Sequence, residues 1–189
     1  MRHGFKAQAE RLSLRAREEL GLTPEDALDP WLYAEHVGVV VLDFSTLDLP
    51  EKSRLRLVST DSESWSGMTL NEGGTTAILI NPSHSRGRQA NTLMHELAHV
   101  MLRHVPAQVN VSESGLLLLS DYSEETEAEA DWLAAAMLLP RDVLLACRRR
   151  GDTIAAIAAA FGTSEQLCEW RVRMTGVDVQ VKRSLAGAR

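Results

Sequence analysis

The segment His95-Glu-Leu-Ala-His99 constrains this chain more than any other feature of its sequence. Two histidines four residues apart lie on one face of an α-helix, so both imidazoles can reach a single metal ion. Glu96 lies on the adjacent face, where its carboxylate can accept a proton from a water molecule. Between residues 91 and 102 this motif supplies the only ionisable side chains. A polar trio in a mostly apolar helix needs a partner, and a metal ion is the most economical one.

A third metal ligand is expected elsewhere in the chain, because a catalytic zinc ion uses three protein ligands and keeps one position open. Residues 121–131 include six carboxylates and no basic residue. Glu127 and Asp131 are four residues apart on a helix face that continues into apolar residues, where like charges repel unless a cation lies nearby. We therefore expect Glu127 as the third ligand and Asp131 as the acceptor that orients a ligand histidine.

Two further residues compete for roles at this site. Glu129 is the alternative to Glu127 as the third ligand. His104 is separated from His99 by Val-Met-Leu-Arg, which lacks the glycine and the spacing of the long metzincin motif. We interpret His104 as a structural or substrate-facing histidine at the end of the motif helix.

The remaining pattern predicts an α+β fold, in which a small, mostly antiparallel sheet packs on a zincin-type helical core and a helical tail follows. β-Branched and aliphatic runs predict strands at 37–44, 54–60 and 75–81, within a sheet of three or four strands. Gly73-Gly74 predicts a turn before the third run. The connections are too short for crossover helices, which favours antiparallel pairing.

Apolar residues at steps of three and four predict the helices. Asp29 is expected to cap the second helix, and Asp121 or Ser123 the helix that ends before Pro140. A loop is expected at about 105–120. The predicted helices span 5–20, 31–36, 86–104, 123–139, 141–150, 153–161 and 164–174.

Composition excludes several classes of protein. The formal net charge of −6 does not favour binding to nucleic acid or to an anionic membrane. Cys147 and Cys168 are too few for a disulfide framework. Residues 1–20 contain no apolar leader, and no apolar run is long enough to span a bilayer. We therefore expect a cytoplasmic protein without a membrane partner.

Three segments resemble the ImmA/IrrE family of bacterial metallo-endopeptidases: His95–His99, Glu127–Ala135 and Met137–Pro140. The order HExxH followed by ExxxD is also similar to that of gluzincins. The resemblance covers most of residues 1–140 and implies a zinc metallopeptidase core there. It implies that residues 141–189 form a C-terminal helical tail, which has the spacing of a helix-turn-helix.

The resemblance also implies roles for the site residues. Zn²⁺ is expected on His95, His99 and Glu127, with Glu96 as the general base and Asp131 behind the ligands. The oxyanion-stabilising residue stays open among four candidates: His104, Tyr122, His84 and Arg141. The strand predicted at 75–81 is a candidate for binding substrate by strand addition.

The family resemblance implies a regulatory substrate. Its members typically cleave an Xre-type helix-turn-helix repressor and so relieve repression, often under stress. We expect such a repressor as the protein partner of this chain.

Two rival interpretations remain. Residues 153–174 have the spacing of a helix-turn-helix, which would suit a DNA-binding regulator. Direct DNA binding is disfavoured, however, because Glu165 and Glu169 lie where a recognition helix would approach phosphate. The second rival is a metal-binding regulatory module without proteolytic activity. A purely structural site would not need Glu96, and such sites commonly use cysteine ligands.

Overall fold

The computed structural model describes residues 1–105, 108–111, 117–120 and 122–187. Within these ranges the chain forms α-helices joined to one mixed sheet, so the predicted α+β class is confirmed. The helices are α1 Phe5–Glu19, α2 Pro30–His36, α3 Glu51–Leu55, α4 Arg86–Leu102, α5 Glu124–Leu138, α6 Arg141–Arg150, α7 Ile154–Ala160, α8 Glu165–Thr175 and α9 Val177–Gly187. The strands are β1 Val40–Leu42, β2 Gly67–Glu72, β3 Thr75–Ile80, β4 Gln108–Val111 and β5 Leu117–Ser120.

The sheet has five described strands in the order β1-β3-β2-β5-β4. The pair β1–β3 is parallel, and the other three neighbouring pairs are antiparallel. Gly73 and Gly74 join β2 to β3 with φ values of 56° and 87°, a left-handed turn that glycine adopts without strain. The mostly antiparallel sheet and the turn at these glycines were both predicted correctly, although the sheet has one strand more than expected.

The strand predicted at 54–60 is wrong. This segment is helical: α3 begins after Pro50 and continues into a wider π-type turn, Arg56–Thr60. The alternation of Leu55 and Leu57 suggested one buried face, but Leu55 is 63% exposed. A strand has no advantage over a helix where neither face is buried.

The loop predicted at about 105–120 is also wrong in part. β4 and β5 lie within it and pair with each other in antiparallel register, from Gln108 opposite Ser120 to Val111 opposite Leu117. β5 also pairs with β2, which joins this hairpin to the sheet. β2 and α9 were not predicted from the sequence.

The helix boundaries follow from capping groups. The Asp29 carboxylate accepts a hydrogen bond from the backbone N–H of Trp31, and Pro30 is the first residue of α2, as predicted. The Ser123 hydroxyl accepts from the N–H of Thr126 and caps α5. Asp121, the alternative cap, lies outside the described residues.

The main core forms where α5 packs between α4 and α1. Leu93 and Leu97 of α4 and Leu133 of α5 are completely buried there. This packing fixes the motif helix against the acidic helix and so positions the candidate site. None of the helices in the described ranges is long and apolar enough to cross a membrane.

A second buried cluster holds the tail together and includes the free thiols of Cys147 and Cys168. Arg171 of α8 is fully buried, and its guanidinium donates to the carbonyl oxygen of Leu139 and to the carboxylate of Glu10. The tail is therefore tied to α1 and to the end of α5 by charged hydrogen bonds as well as by apolar packing.

Candidate metal centre

Three predicted ligands converge between α4 and α5. His95 and His99 face the same side of α4, and Glu127 reaches them from the first turn of α5. The Nε2 atoms of the two histidines are 3.1 Å apart. The Glu127 carboxylate oxygens lie 3.2 Å from Nε2 of His95 and 3.5 Å from Nε2 of His99. Ligand atoms from all three side chains lie within 4.8 Å of one another.

These distances fit a bound metal ion. Ligand atoms about 2.0–2.1 Å from a tetrahedral zinc ion are about 3.3 Å from one another. Two unprotonated ring nitrogens at 3.1 Å repel each other, so His95 and His99 need a proton or a cation between them. A set of two imidazoles and one carboxylate is also a common donor set for catalytic zinc.

Asp131 contacts His95 on the side away from the cluster. Its carboxylate lies 2.9 Å from Nδ1 of His95, so it can accept the proton on that nitrogen and leave Nε2 free for a metal. Burial opposes the charged form of His95, but hydrogen bonds to Asp131 and Glu127 outweigh it and raise the pKa to about 10 in the metal-free protein. Asp131 is 61% exposed, although its helix face continues into apolar residues.

His99 is the buried member of the histidine pair. Its side chain is 2% exposed and stacks on the ring of Tyr122, with 3.8 Å between the ring centroids. Burial and the neighbouring cationic His95 lower the pKa of His99 to about 4. A neutral imidazole is the form that binds a metal ion.

Glu96 lies beside the three ligands and is held by a strand of the sheet. The hydroxyl of Thr69, a buried residue of β2, donates to the Glu96 carboxylate. Burial raises the pKa of Glu96, against the effect of this hydrogen bond. A cavity of about 360 Å³, lined by Glu96, His95 and Gly67 among others, gives access to this carboxylate. The carboxylate can therefore exchange a proton with a molecule in the cavity.

His104 and Glu129 lie behind the cluster. His104 and His99 contact each other through their Nδ1 atoms, which are 3.1 Å apart, within hydrogen-bond distance. The Glu129 side chain is 3% exposed, and its carboxylate is 3.7 Å from Nε2 of His104. Arg2 donates to Glu129 from its backbone N–H and its guanidinium. Glu129 therefore faces Arg2 and His104 instead of the three converging ligand atoms.

Two of the four oxyanion candidates, His104 and Tyr122, lie beside His99, with their ring centroids 6.3 Å apart, and the other two lie elsewhere. His84 bonds to the carbonyl oxygen of Ser62, and Arg141 pairs with Asp142 and Gln180 in the tail. His104 contacts the face of His99 that points away from the other ligands. Tyr122 is the candidate beside the cluster: burial and the charges of Glu96 and Glu127 raise its pKa to about 12. Its phenol therefore keeps its proton at neutral pH.

The suggestion that the strand at 75–81 binds substrate by strand addition is wrong. β3 occupies this segment and is paired on both sides, with β1 and with β2. Its backbone N–H and C=O groups are therefore already used. Among the described strands, the edges of the sheet are β1 and β4.

Three residues near the site have contacts that were not predicted from the sequence: Thr69, Tyr122 and Arg2. The alternation of Met68 and Leu70 with polar neighbours was an available signal for β2, and hence for Thr69. Tyr122 was one candidate among four. No sequence signal indicates Arg2, because its contact with Glu129 spans 127 residues of chain.

Comparison with known families agrees with this geometry. Residues 34–173 match the peptidase family described as the IrrE N-terminal-like domain, and the chain belongs to that family. The family indicates a metallopeptidase, a hydrolase that acts on a protein substrate. The match also agrees with the resemblance noted from the motifs. No protein with a curated description matches the chain significantly.

Proposed function

We propose that this chain is a zinc-dependent endopeptidase in which His95, His99 and Glu127 hold the metal and Glu96 is the general base. The observation that carries the proposal is the convergence of three ligand side chains beside a buried carboxylate that lines an open cavity. Family membership supports the peptidase class independently of that geometry.

The residues of the chain have complementary tasks in this proposal. A bound zinc ion supplies a Lewis acid that polarises a carbonyl oxygen and lowers the pKa of water. Glu96 accepts the proton of the attacking water and passes it to the nitrogen of the leaving amine. The hydroxyl of Thr69 fixes the Glu96 carboxylate through a hydrogen bond. The phenol of Tyr122 donates to the oxygen on which negative charge develops.

The substrate polypeptide lies in a groove that extends from the candidate metal centre towards the tail. The cavity at Glu96 shares Asn91, Asp131 and Leu167 with a neighbouring cavity of about 600 Å³. That second cavity is lined mainly by α8. In this proposal residues 1–140 form the peptidase core, and residues 141–189 form a tail that supplies one wall of the groove.

The proposed substrate is an Xre-type helix-turn-helix repressor in the cytoplasm, whose cleavage relieves repression under stress. Family membership and the motif resemblance support it. The contacts of α8 oppose the rival DNA-binding function. The Ser164 hydroxyl at the start of α8 accepts a hydrogen bond from Asn91 of α4 at 2.5 Å, so the first turn of the helix is occupied.

The test combines metal content with cleavage of a purified Xre-type repressor. Wild-type protein is expected to bind about one zinc ion and to cut the repressor once or at a few sites. Glu96→Gln should retain zinc but lose cleavage, whereas Glu127→Ala should lose both. A wild-type protein that binds no zinc when zinc is supplied overturns the proposal. Zinc binding without cleavage of any such repressor overturns the substrate assignment alone.

A further inference from the structure

The two histidines of the candidate metal centre are supported by different neighbours. Asp131 lies directly against Nδ1 of His95, at 2.9 Å. Among the described residues, no carboxylate lies at this position for His99, whose Nδ1 faces Nδ1 of His104 at 3.1 Å. A ligand histidine usually donates its second ring N–H to a carboxylate, a carbonyl or water. The contact between two histidine rings therefore needs its own explanation.

The protonation states follow from the contacts once Nε2 of His99 binds a metal. Nε2 must then be unprotonated, so the proton of neutral His99 is on Nδ1. The Nδ1–H of His99 then donates a hydrogen bond to Nδ1 of His104. Nδ1 of His104 is therefore unprotonated, and the proton of neutral His104 is on Nε2. Among the described residues, Nε2 of His104 is buried without a hydrogen bond, and the carboxylate facing it is that of Glu129, at an ion-pair distance of 3.7 Å. One tautomer of each ring is thus compatible with metal binding.

The outer end of this arrangement is fixed by Arg2. Its guanidinium donates three hydrogen bonds, at 2.9, 3.1 and 2.7 Å, to the two carboxylate oxygens of Glu129, and its backbone N–H donates a fourth at 2.8 Å. These bonds fix the orientation of the Glu129 carboxylate, although its side chain is 3% exposed. Its Oε2 atom is thereby turned towards Nε2 of His104.

The backbone also holds His104 under His99. Arg103 ends α4 with φ 53°, the single non-glycine residue with positive φ in the described ranges. This left-handed residue turns the chain so that the N–H of His104 donates to the carbonyl oxygen of His99 at 3.0 Å. A non-glycine residue in this conformation is strained, and the turn brings the His104 ring onto Nδ1 of His99.

We propose that His104, Glu129 and Arg2 form a relay that positions His99 for metal binding, as a counterpart to the direct contact of Asp131 with His95. The proposal rests on the metal-binding function proposed above. His104 and Glu129 are positioning residues: both are buried behind His99 and neither faces the cavity beside Glu96. Their effect on the reaction passes through the orientation and tautomer of His99.

Zinc affinity of the full-length chain tests the relay without measuring cleavage. The zinc Kd is measured by competition with a chromophoric chelator for wild type, His104→Leu, His104→Gln and Glu129→Gln. Loss of a residue behind a metal ligand typically weakens affinity 10- to 100-fold, and we expect this for His104→Leu. His104→Gln keeps an acceptor for His99 and a donor towards Glu129, so it should stay within a few-fold of wild type.

A control and a second readout separate positioning from a general loss of structure. Glu124→Gln changes an exposed carboxylate on the same helix as Glu129 and should leave the zinc Kd unchanged. Co²⁺-loaded His104→Leu should show an altered visible spectrum, because the geometry at His99 changes. If His104→Leu does not fold, Glu129→Gln decides the question with the same measurements.

The outcomes distinguish this proposal from the proposed function. The relay is overturned if folded His104→Leu has a zinc Kd within twofold of wild type and an unchanged Co²⁺ spectrum. If His104→Leu does not fold, the same result for Glu129→Gln overturns it. In either case the zinc site itself stands. If wild type itself binds no zinc, the relay and the proposed function fall together.

Discussion

Gly87 of α4 and Thr163 of the turn before α8 approach each other backbone to backbone. A Cβ atom on Gly87 would lie 2.7 Å from the carbonyl oxygen of Thr163 and 3.0 Å from the backbone nitrogen of Ser164. Real Cβ atoms essentially never approach another heavy atom closer than 3.0 Å, so the motif helix and the tail come this close only because residue 87 is glycine. Asn91, one turn along α4, adds its hydrogen bond to Ser164 at the same contact.

Replacing Gly87 with alanine should therefore destabilise the protein. Helix propensity alone predicts the opposite, a gain of up to about 1 kcal/mol, because alanine favours a helix more than glycine does. The clash involves backbone atoms that cannot rotate away, and overpacking of this kind costs about 1–3 kcal/mol. Urea unfolding of wild type and Gly87→Ala measures the difference. An unchanged or higher free energy of unfolding would contradict the close contact.

Glu10 should contribute more to stability than its exposure suggests. Its carboxylate accepts from the fully buried Arg171 of α8 and from the backbone N–H of Arg141 at 3.0 Å, which joins α1 to two tail helices. Glu10→Gln leaves the Arg171 guanidinium without its counter-charge, and we expect the free energy of unfolding to fall by about 1–3 kcal/mol.

Glu19 provides the matched control on the same helix. It pairs with Arg15 four residues away and lies 3.6 Å from Nε2 of His36, and all three side chains are exposed. Pairs of this type contribute about 0.3–0.5 kcal/mol, so Glu19→Gln should change the free energy of unfolding little. Equal losses in the two variants would show that the Glu10 contact has no special role in docking the tail.

Asp131 should strengthen metal binding although it is largely exposed. Its carboxylate fixes the proton on Nδ1 of His95, and residues in this position typically change metal affinity 10- to 100-fold. Asp131→Ala should therefore raise the zinc Kd by that factor and reduce the rise in Tm that added zinc produces. Asp142→Ala, an exposed carboxylate on α6, is the control and should leave both quantities unchanged. An unaltered zinc Kd in Asp131→Ala would argue against the assigned contact.

The sequence predicts the central part of the site because its residues are linked by helical spacing. His95, Glu96 and His99 are placed by α4, and Glu127 and Asp131 by α5, so local periodicity is enough to put each group on one helix face. The packing of α4 on α5 is expected from their apolar faces. The ligand and base roles of these residues stay predictions until metal content and cleavage are measured.

Contacts that depend on unusual backbone or on distant segments could not be predicted. The position of His104 depends on a left-handed Arg103, a conformation usually reserved for glycine. The buried Glu129 is held by Arg2, which is 127 residues away in the sequence. The interior position of β3 depends on β2, which was not predicted as a strand.

A residue of the tail helix α8 that lines the proposed substrate groove should affect cleavage of the repressor. Glu169 lines the cavity of about 600 Å³ that adjoins the candidate metal centre, whereas Glu165 on the same helix does not. Both side chains are exposed, so a lysine at either position should leave folding and zinc content unchanged.

Glu169→Lys places a longer side chain of opposite charge in the proposed path of the substrate. We expect kcat/KM for the repressor to fall about tenfold, the equivalent of about 1.4 kcal/mol, and Glu165→Lys to match wild type. Equal kcat/KM values for the two variants would mean that the substrate does not pass along α8, and would leave the tail as packing for the peptidase core.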